Sequence, residues 1–119
     1  GYTYLTALGY DEAARICLTH SFHDLSLHSY IGCFDLTPEE QRALEVALAR
    51  TVPDDYDRLC QLCDALAGAE GVVDVEVRMA DVKRRYGYYP QEKWDANLAL
   101  KAYFEKKTGR PMTGLLRGI

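Results

Sequence analysis

Glycine and proline divide this chain into segments of helical length, and no segment alternates polar and apolar residues as a half-buried strand does. Gly9, Gly87 and Gly109 fall where helical periodicity of apolar residues stops, as residues that close helices do. Pro38 and Pro90 fall where such periodicity starts, and proline is favoured in the first helical turn. The pattern predicts an all-α fold, a single bundle of about five helices.

The segment Thr37-Pro38-Glu39-Glu40 is the clearest helix start. Threonine is a favoured N-cap, proline suits the first helical position, and a glutamate at the third position completes a capping box. This helix is predicted to reach about Arg50, before the break at Val52-Pro53. Other helices are predicted over residues 2–8, 12–19, 55–67, 72–86 and 90–109. A strand over 72–77 stays open because of its valines, and a long loop is predicted over 21–36.

Length and composition fit one globular domain over residues 1–119. The hydrophobic share of 48% and the charged share of 27% argue against a disordered or fibrous chain. The formal charge of −4 offers no basic field for nucleic acid. No run approaches the roughly 18 apolar residues of a membrane-spanning helix, and the first residues lack the pattern of a signal peptide. We therefore expect a cytoplasmic protein without nucleic-acid or membrane partners.

The four cysteines, Cys17, Cys33, Cys60 and Cys63, are too sparse for a disulfide scaffold and indicate thiols in a reducing cytoplasm. Metal knuckles and redox pairs share the spacing of Cys60 and Cys63. Knuckles lie on tight turns and redox pairs at helix starts, whereas this pair lies inside a predicted helix, where cysteine packs as a small apolar residue. We expect core packing for both, and a structural zinc bound by all four cysteines stays as an alternative.

Asp64 is a charged residue among apolar neighbours of the helix predicted over 55–67. Because it follows Cys60 by four residues, it shares the apolar stripe or its edge, while Asp57 and Arg58 can face solvent. A buried carboxylate needs a cation, a metal or hydrogen-bond donors around it. A metal ligand and an aspartate at the margin of the stripe, paired with an arginine or capping a neighbouring helix, both remain open. The stripe comprises Tyr56, Leu59, Cys60, Leu62, Cys63, Leu66 and Ala67.

His20 closes a second apolar stripe, formed by Ala13, Ile16 and Cys17, just before the long loop. A core or capping histidine is the ordinary interpretation of such a residue. Neutral imidazole and carboxylate groups are nevertheless the usual ligands of divalent transition metals in hydrolases. His20 and Asp64 would form half of such a site.

Residues 9–22, 61–67 and 81–87 are three segments that, in this order and spacing, resemble bacterial hydrolases of the HD superfamily. Residues 9–22, GYDEAARICLTHSF, resemble a glycine turn that leads into a helix ending in a metal-site histidine. Residues 61–67, QLCDALA, resemble the closing motif of the superfamily, whose aspartate is the last metal ligand. Residues 81–87, DVKRRYG, resemble the helix that follows. The resemblance extends from Tyr4 to about Gly109 and implies an HD-domain-like helical bundle.

The resemblance implies that His20 and Asp64 bind a divalent metal ion, with Mn, Fe, Co, Ni, Zn and Mg as candidates. It also implies a metal-dependent phosphohydrolase that acts on a small phosphate ester such as a nucleotide. In the superfamily a histidine and a His-Asp pair precede the three segments, so the resemblance implies a domain that is incomplete at its N-terminus. This chain would then carry only part of the metal site, and no catalytic residue is assigned.

The pair His23-Asp24 has the residue types of the superfamily's signature but not its sequence context. The pair does not follow an apolar helix, and His20 is the only histidine before it in the sequence. His23, Asp24 and His28 are candidates for lining the mouth of the site, with a solvated loop as the alternative. Lys83 and Arg84 are candidates for phosphate contacts, although basic residues also complement the dipole at a helix end.

A second functional class is compatible with the same fold. The chain would then be an inactive helical interaction module, and self-association into a homo-oligomer would cover the apolar surface left by the missing N-terminal helices. Metal binding separates the two hypotheses.

Overall fold

The computed structural model describes residues 1–27, 30–31 and 33–116, so the predicted site-lining residue His28 lies outside the described part. Seven α-helices lie within these ranges, which confirms the all-α fold. Their bounds are α1 Tyr2–Ala7, α2 Asp11–Thr19, α3 Pro38–Arg50, α4 Asp55–Leu66, α5 Val75–Tyr86, α6 Gln91–Thr108 and α7 Met112–Leu115. Among the described helices, none combines the length and the apolar character needed to cross a bilayer.

The start of α3 forms as the sequence predicts. Thr37 Oγ1 accepts a hydrogen bond from the backbone N–H of Glu40, and Glu40 Oε2 accepts one from the backbone N–H of Thr37. These two bonds satisfy donors that the first helical turn would otherwise leave unpaired. Glycine residues end two other helices. Gly87 follows α5 with φ 80° and Gly109 follows α6 with φ 67°, a left-handed conformation that glycine adopts without strain.

A small β-hairpin between α4 and α5 departs from the predicted helix bounds. Strand β1, Ala67–Gly68, pairs antiparallel with β2, Gly71–Val72. The φ of Gly71 is 133°, which a side chain would disfavour. Helix α5 therefore begins at Val75, three residues later than predicted, and Asp74 caps it by accepting a hydrogen bond from the N–H of Glu76. Valine at 72 lies in a strand, but the strand stops there.

The described chain divides into two compact units, one from Gly1 to Cys60 and one from Gln61 onward. Each has its own apolar core, and the single domain expected from length stays a prediction. The first core comprises Leu18, Phe22 and Leu48, with Tyr2, Leu25, Leu27, Tyr30, Phe34, Leu44 and Ala47 packed against them. The second comprises Leu62, Ala65, Leu66, Val75, Met79, Leu100 and Met112.

The buried faces of α2 and α4 differ from the predicted stripes. In α2 the buried residues are Ala14, Leu18 and Thr19, while Ala13 is exposed. In α4 the exposed residues include Tyr56, Leu59 and Cys63, which the predicted stripe had placed inside. The buried residues of α4 are Asp57, Gln61, Leu62, Ala65 and Leu66. Polar residues thus occupy inner positions of both helices, which an apolar pattern alone cannot predict.

Candidate functional site

The first unit contains a buried carboxylate, Asp57, in the first turns of α4. Its side chain is 0% exposed, and its two carboxylate oxygens accept hydrogen bonds from several donors. Thr19 Oγ1 donates to Oδ1 at 2.7 Å, and the backbone N–H of Asp54 donates to Oδ2 at 2.8 Å. Arg15 Nε lies 3.2 Å from Oδ1 and 3.0 Å from Oδ2. These donors replace the water that the carboxylate loses on burial.

The hydrogen bonds keep Asp57 ionised. Burial alone would raise the pKa of the Asp57 carboxyl, but the bonds from the Asp54 N–H, from Thr19 and from Arg15 outweigh it and hold this pKa below its usual value. The same contact raises the pKa of the Arg15 guanidinium, chiefly through its hydrogen bond to Asp57. Arg15 Nη2 also pairs with Asp54 Oδ2 at 3.0 Å, so one arginine joins α2 to two carboxylates at the start of α4.

The environments of Asp57 and Asp64 differ from those that the apolar pattern favours. Asp57, which the pattern allows to face solvent, is fully buried, whereas Asp64, which it places on the apolar stripe or its edge, is exposed. Asp64 follows Asp57 by seven residues, which is about two helical turns. Spacing alone therefore places both residues on the same face of α4 and does not show which of them is buried. The signal that distinguishes Asp57 is on α2, where Arg15 and Thr19 lie four residues apart and can reach one acceptor together.

His20 directly follows α2 and is half-buried. Its Nδ1 lies 2.8 Å from the carbonyl oxygen of Cys17. Because a carbonyl oxygen only accepts, Nδ1 carries the proton and donates, and the lone pair of the neutral ring is then on Nε2. Metal-binding histidines are held in this way, by a hydrogen bond on the ring nitrogen that does not bind the metal.

Asp64 lies in the second unit, near a cluster of polar side chains that comprises Arg78, Tyr89 and Asn97. Asn97 is 1% exposed, and its Nδ2 donates to the hydroxyl oxygen of Tyr89 at 2.9 Å. Burial raises the pKa of the Tyr89 hydroxyl, the Asn97 hydrogen bond and the charge of Arg78 oppose this, and the charge of Asp64 adds to it. The exposed Asp64 carboxylate is accessible to a cation.

The remaining candidates lie on turns and helix ends. His23 is half-buried and Asp24 is exposed in the turn after α2, where Asp24 Oδ1 accepts a hydrogen bond from the backbone N–H of Ser26 at 3.0 Å. Lys83 and Arg84 are exposed in the last turn of α5, and Arg84 pairs with Asp81. Lining of the site by His23 and Asp24, and phosphate contacts by Lys83 and Arg84, stay predictions.

The core packing predicted for Cys63 is wrong, because this residue is exposed, and Cys60 is only half-buried. Both do lie inside α4, as expected. The inner positions near them are filled by Gln61, Leu62 and Ala65 instead.

The described residues of each unit line a hollow. A groove of about 420 Å³ in the second unit is lined by Leu66, Met112 and the hairpin residues 70–74. A smaller hollow of about 200 Å³ in the first unit is lined in part by Thr6, Arg15 and Thr51. Neither is lined by His20 or Asp64.

The ligand chemistry of the described residues fits a metal only in part. His20 presents an oriented imidazole and Asp64 an exposed carboxylate, which are the predicted ligand types. Within residues 1–27, 30–31 and 33–116, no three side chains of His, Cys, Asp or Glu lie close enough together to hold a metal ion. The described residues thus contain candidate ligands but no complete metal site, and no hydrolytic step is derived from them.

Neither a family model, nor a curated protein, nor a solved structure matches the chain.

Proposed function

We propose that this chain supplies ligands to a metal-dependent phosphohydrolase of the HD type. The hydrogen bond from His20 Nδ1 to the Cys17 carbonyl carries the proposal, because it places the ring proton on Nδ1 and leaves the lone pair of the neutral ring on Nε2. The order of the segments around His20 and Asp64 supports it through the resemblance described above. A divalent ion supplies Lewis acidity and activates a bound water in such enzymes.

Within this proposal His20 and Asp64 are each assigned as a metal ligand, as the resemblance to the HD superfamily implies. The candidate ions are Mn, Fe, Co, Ni, Zn and Mg, because imidazole and carboxylate ligands together do not select one of them. The substrate class is a small phosphate ester, with nucleotides as the first to test. A cytoplasmic location is part of the proposal, because four cysteines are too few for a disulfide scaffold in a chain of this length.

Calorimetric titration of the chain with Zn²⁺ tests this proposal. We expect His20→Ala to weaken zinc binding by about tenfold or more, since it removes an oriented first ligand. Glu12→Ala is the control, because it removes an exposed carboxylate from the same helix, and we expect it to bind zinc as the unchanged chain does. Equal affinities for the His20 variant and the unchanged chain would rule out His20 as a ligand.

An interaction module is the second candidate function, and one observation favours it. Large apolar side chains are exposed in the first unit, with Val52 82%, Tyr56 72% and Tyr4 69% accessible. Association with another protein covers such exposed apolar side chains. The partner that we propose for them is a second copy of the chain.

Sedimentation velocity over a range of concentrations tests the second candidate. We expect the unchanged chain to sediment faster as its concentration rises, and the double variant Val52→Ser, Tyr56→Ser to remain at the monomer value. Val77→Ser is the control, because Val77 is 60% exposed on α5 in the other unit. A chain that stays monomeric at all concentrations would contradict self-association.

A further inference from the structure

The end of α2 is attached to α4 through buried side chains. Thr19 is the last residue of α2, and its hydroxyl donates to Asp57 Oδ1 at 2.7 Å with both residues 0% exposed. Arg15 lies one turn earlier on the same helix and donates to both oxygens of the same carboxylate. Two successive turns of α2 therefore meet a single buried acceptor.

This attachment matters because α2 lacks a glycine to terminate it. His20 follows with φ −59° and ψ −28°, still in the right-handed helical region, rather than in the left-handed conformation seen after α5 and α6. The last turn of a helix frays when nothing fixes it. Asp57 is itself fixed by the N–H of Asp54, so the start of α4 is a firm support for the end of α2.

We propose that Asp57 is a positioning residue for His20. By holding Thr19 and Arg15, the carboxylate keeps the last turn of α2 formed, so that the Cys17 carbonyl stays within hydrogen-bond distance of His20 Nδ1. The tautomer of His20, with its lone pair on Nε2, then depends on the ion pair between Arg15 and Asp57. The inference rests on the proposed function only in assigning a metal to Nε2.

The tautomer of the His20 ring is the readout, measured by two-bond nitrogen–proton correlation spectra of the metal-free protein. In the unchanged chain we expect the Nδ1–H form to dominate, because Nδ1 donates to the Cys17 carbonyl. Thr19→Val keeps the shape of the side chain and removes its hydroxyl, and we expect a mixture of tautomers. Thr19→Ser restores the hydroxyl and should restore the Nδ1–H form.

Asp57→Asn provides a second test of the support from α4, and the exchange of the His20 amide proton provides a second readout. That amide donates to the Ile16 carbonyl at 3.0 Å within the last turn of α2. We expect it to exchange at least about tenfold faster in Asp57→Asn if the turn frays. Arg58→Gln is the matched control, since it breaks the Arg58–Asp55 pair on α4 and leaves Asp57 unchanged.

The outcomes separate this inference from the proposed function. An unchanged His20 tautomer and unchanged amide exchange in both Thr19→Val and Asp57→Asn would overturn the positioning role, whether or not the chain binds metal. A shifted tautomer in Thr19→Val with rescue by Thr19→Ser supports it. The Zn²⁺ titration is then judged by itself: if His20 is a ligand, Thr19→Val should bind zinc about tenfold or more weakly and Thr19→Ser should not.

Discussion

At the scale of single residues, the structure depends on how one buried charge is satisfied. Asp57 loses its contact with water, and a carboxylate in this position would be protonated or expelled without compensation. Thr19, Arg15 and the Asp54 N–H supply that compensation at hydrogen-bond distances. Removing the charge leaves these buried donors without an acceptor. Such a loss lowers the free energy of unfolding more than replacing the donors and the acceptor together by apolar groups does.

Asp57→Ala is expected to lower the free energy of unfolding by about 3 kcal/mol, as breaking a buried ion pair does. Urea unfolding near neutral pH measures this loss. Asp55→Ala is the control, because Asp55 pairs with Arg58 at the surface, and we expect a loss of about 1 kcal/mol or less. Equal losses in the two variants would show that burial adds nothing to the pair.

The pH dependence of stability gives a second prediction for Asp57. Its pKa in the folded protein lies below the unfolded value of about 3.9, so the stabilisation is complete above that value and is lost as the pH falls through the lowered pKa. Thermal unfolding from neutral pH to about pH 3 should show a steeper loss of stability in the unchanged chain than in Asp57→Asn. Parallel curves would contradict the lowered pKa.

The sequence identified the residue types of the candidate site better than their environments. His20 was expected at the end of a helix and lies there, with a hydrogen bond that suits a ligand. The apolar stripe placed Asp64 on the inner face of α4 or at its edge, but the buried carboxylate of this helix is Asp57 and Asp64 is exposed. Hydrogen bonds from Thr19 and Arg15 turn Asp57 inward, and such partners on another helix are not visible in the periodicity of one helix.

At the scale of elements, the ends of helices were predictable where a residue enforces them chemically. Thr37 and Glu40 form their capping box, and the helix they begin runs to Arg50 as expected. Gly87 and Gly109 end their helices because they accept a positive φ. The hairpin at 67–72 was missed, because strands of two residues have too few positions to show an alternating pattern.

Thr37→Ala is expected to cost about 1 kcal/mol, since it removes the side-chain acceptor for the Glu40 N–H. Chemical unfolding measures the change. Glu39→Ala is the matched control in the same turn, and we expect it to alter stability by about 0.5 kcal/mol or less, as surface substitutions usually do. If both variants lose the same free energy, the capping box does not stabilise α3.

At the scale of the whole molecule, each of the two units is built around its own apolar cluster. The all-α class followed from helix-length segments between glycine and proline, which is a property of the whole sequence. The division into units did not, because it depends on which helices share side-chain contacts rather than on where each begins and ends. No glycine- or proline-rich linker marks the boundary, which falls inside α4.

Leu48→Ala tests the importance of the first cluster. Leu48 is 0% exposed on α3, and truncating a buried leucine costs about 2–5 kcal/mol through lost burial and the cavity left behind. Val46→Ala on the same helix is the control, because Val46 is 48% exposed and should cost about 0.5 kcal/mol or less. Thermal unfolding followed by circular dichroism distinguishes the two, and similar losses would mean that Leu48 is not a core residue.

The most direct test of the proposed role in a metal-dependent phosphohydrolase is the metal content of the protein. The chain and its Asp64→Ala variant would be dialysed to equilibrium against the same low concentration of Mn²⁺ or Zn²⁺ and analysed by plasma mass spectrometry. We predict bound metal in the unchanged chain and a clear loss in the variant, which would justify a screen against nucleotide phosphates. Equal metal in both, or none in either, would contradict the claim that Asp64 is a metal ligand.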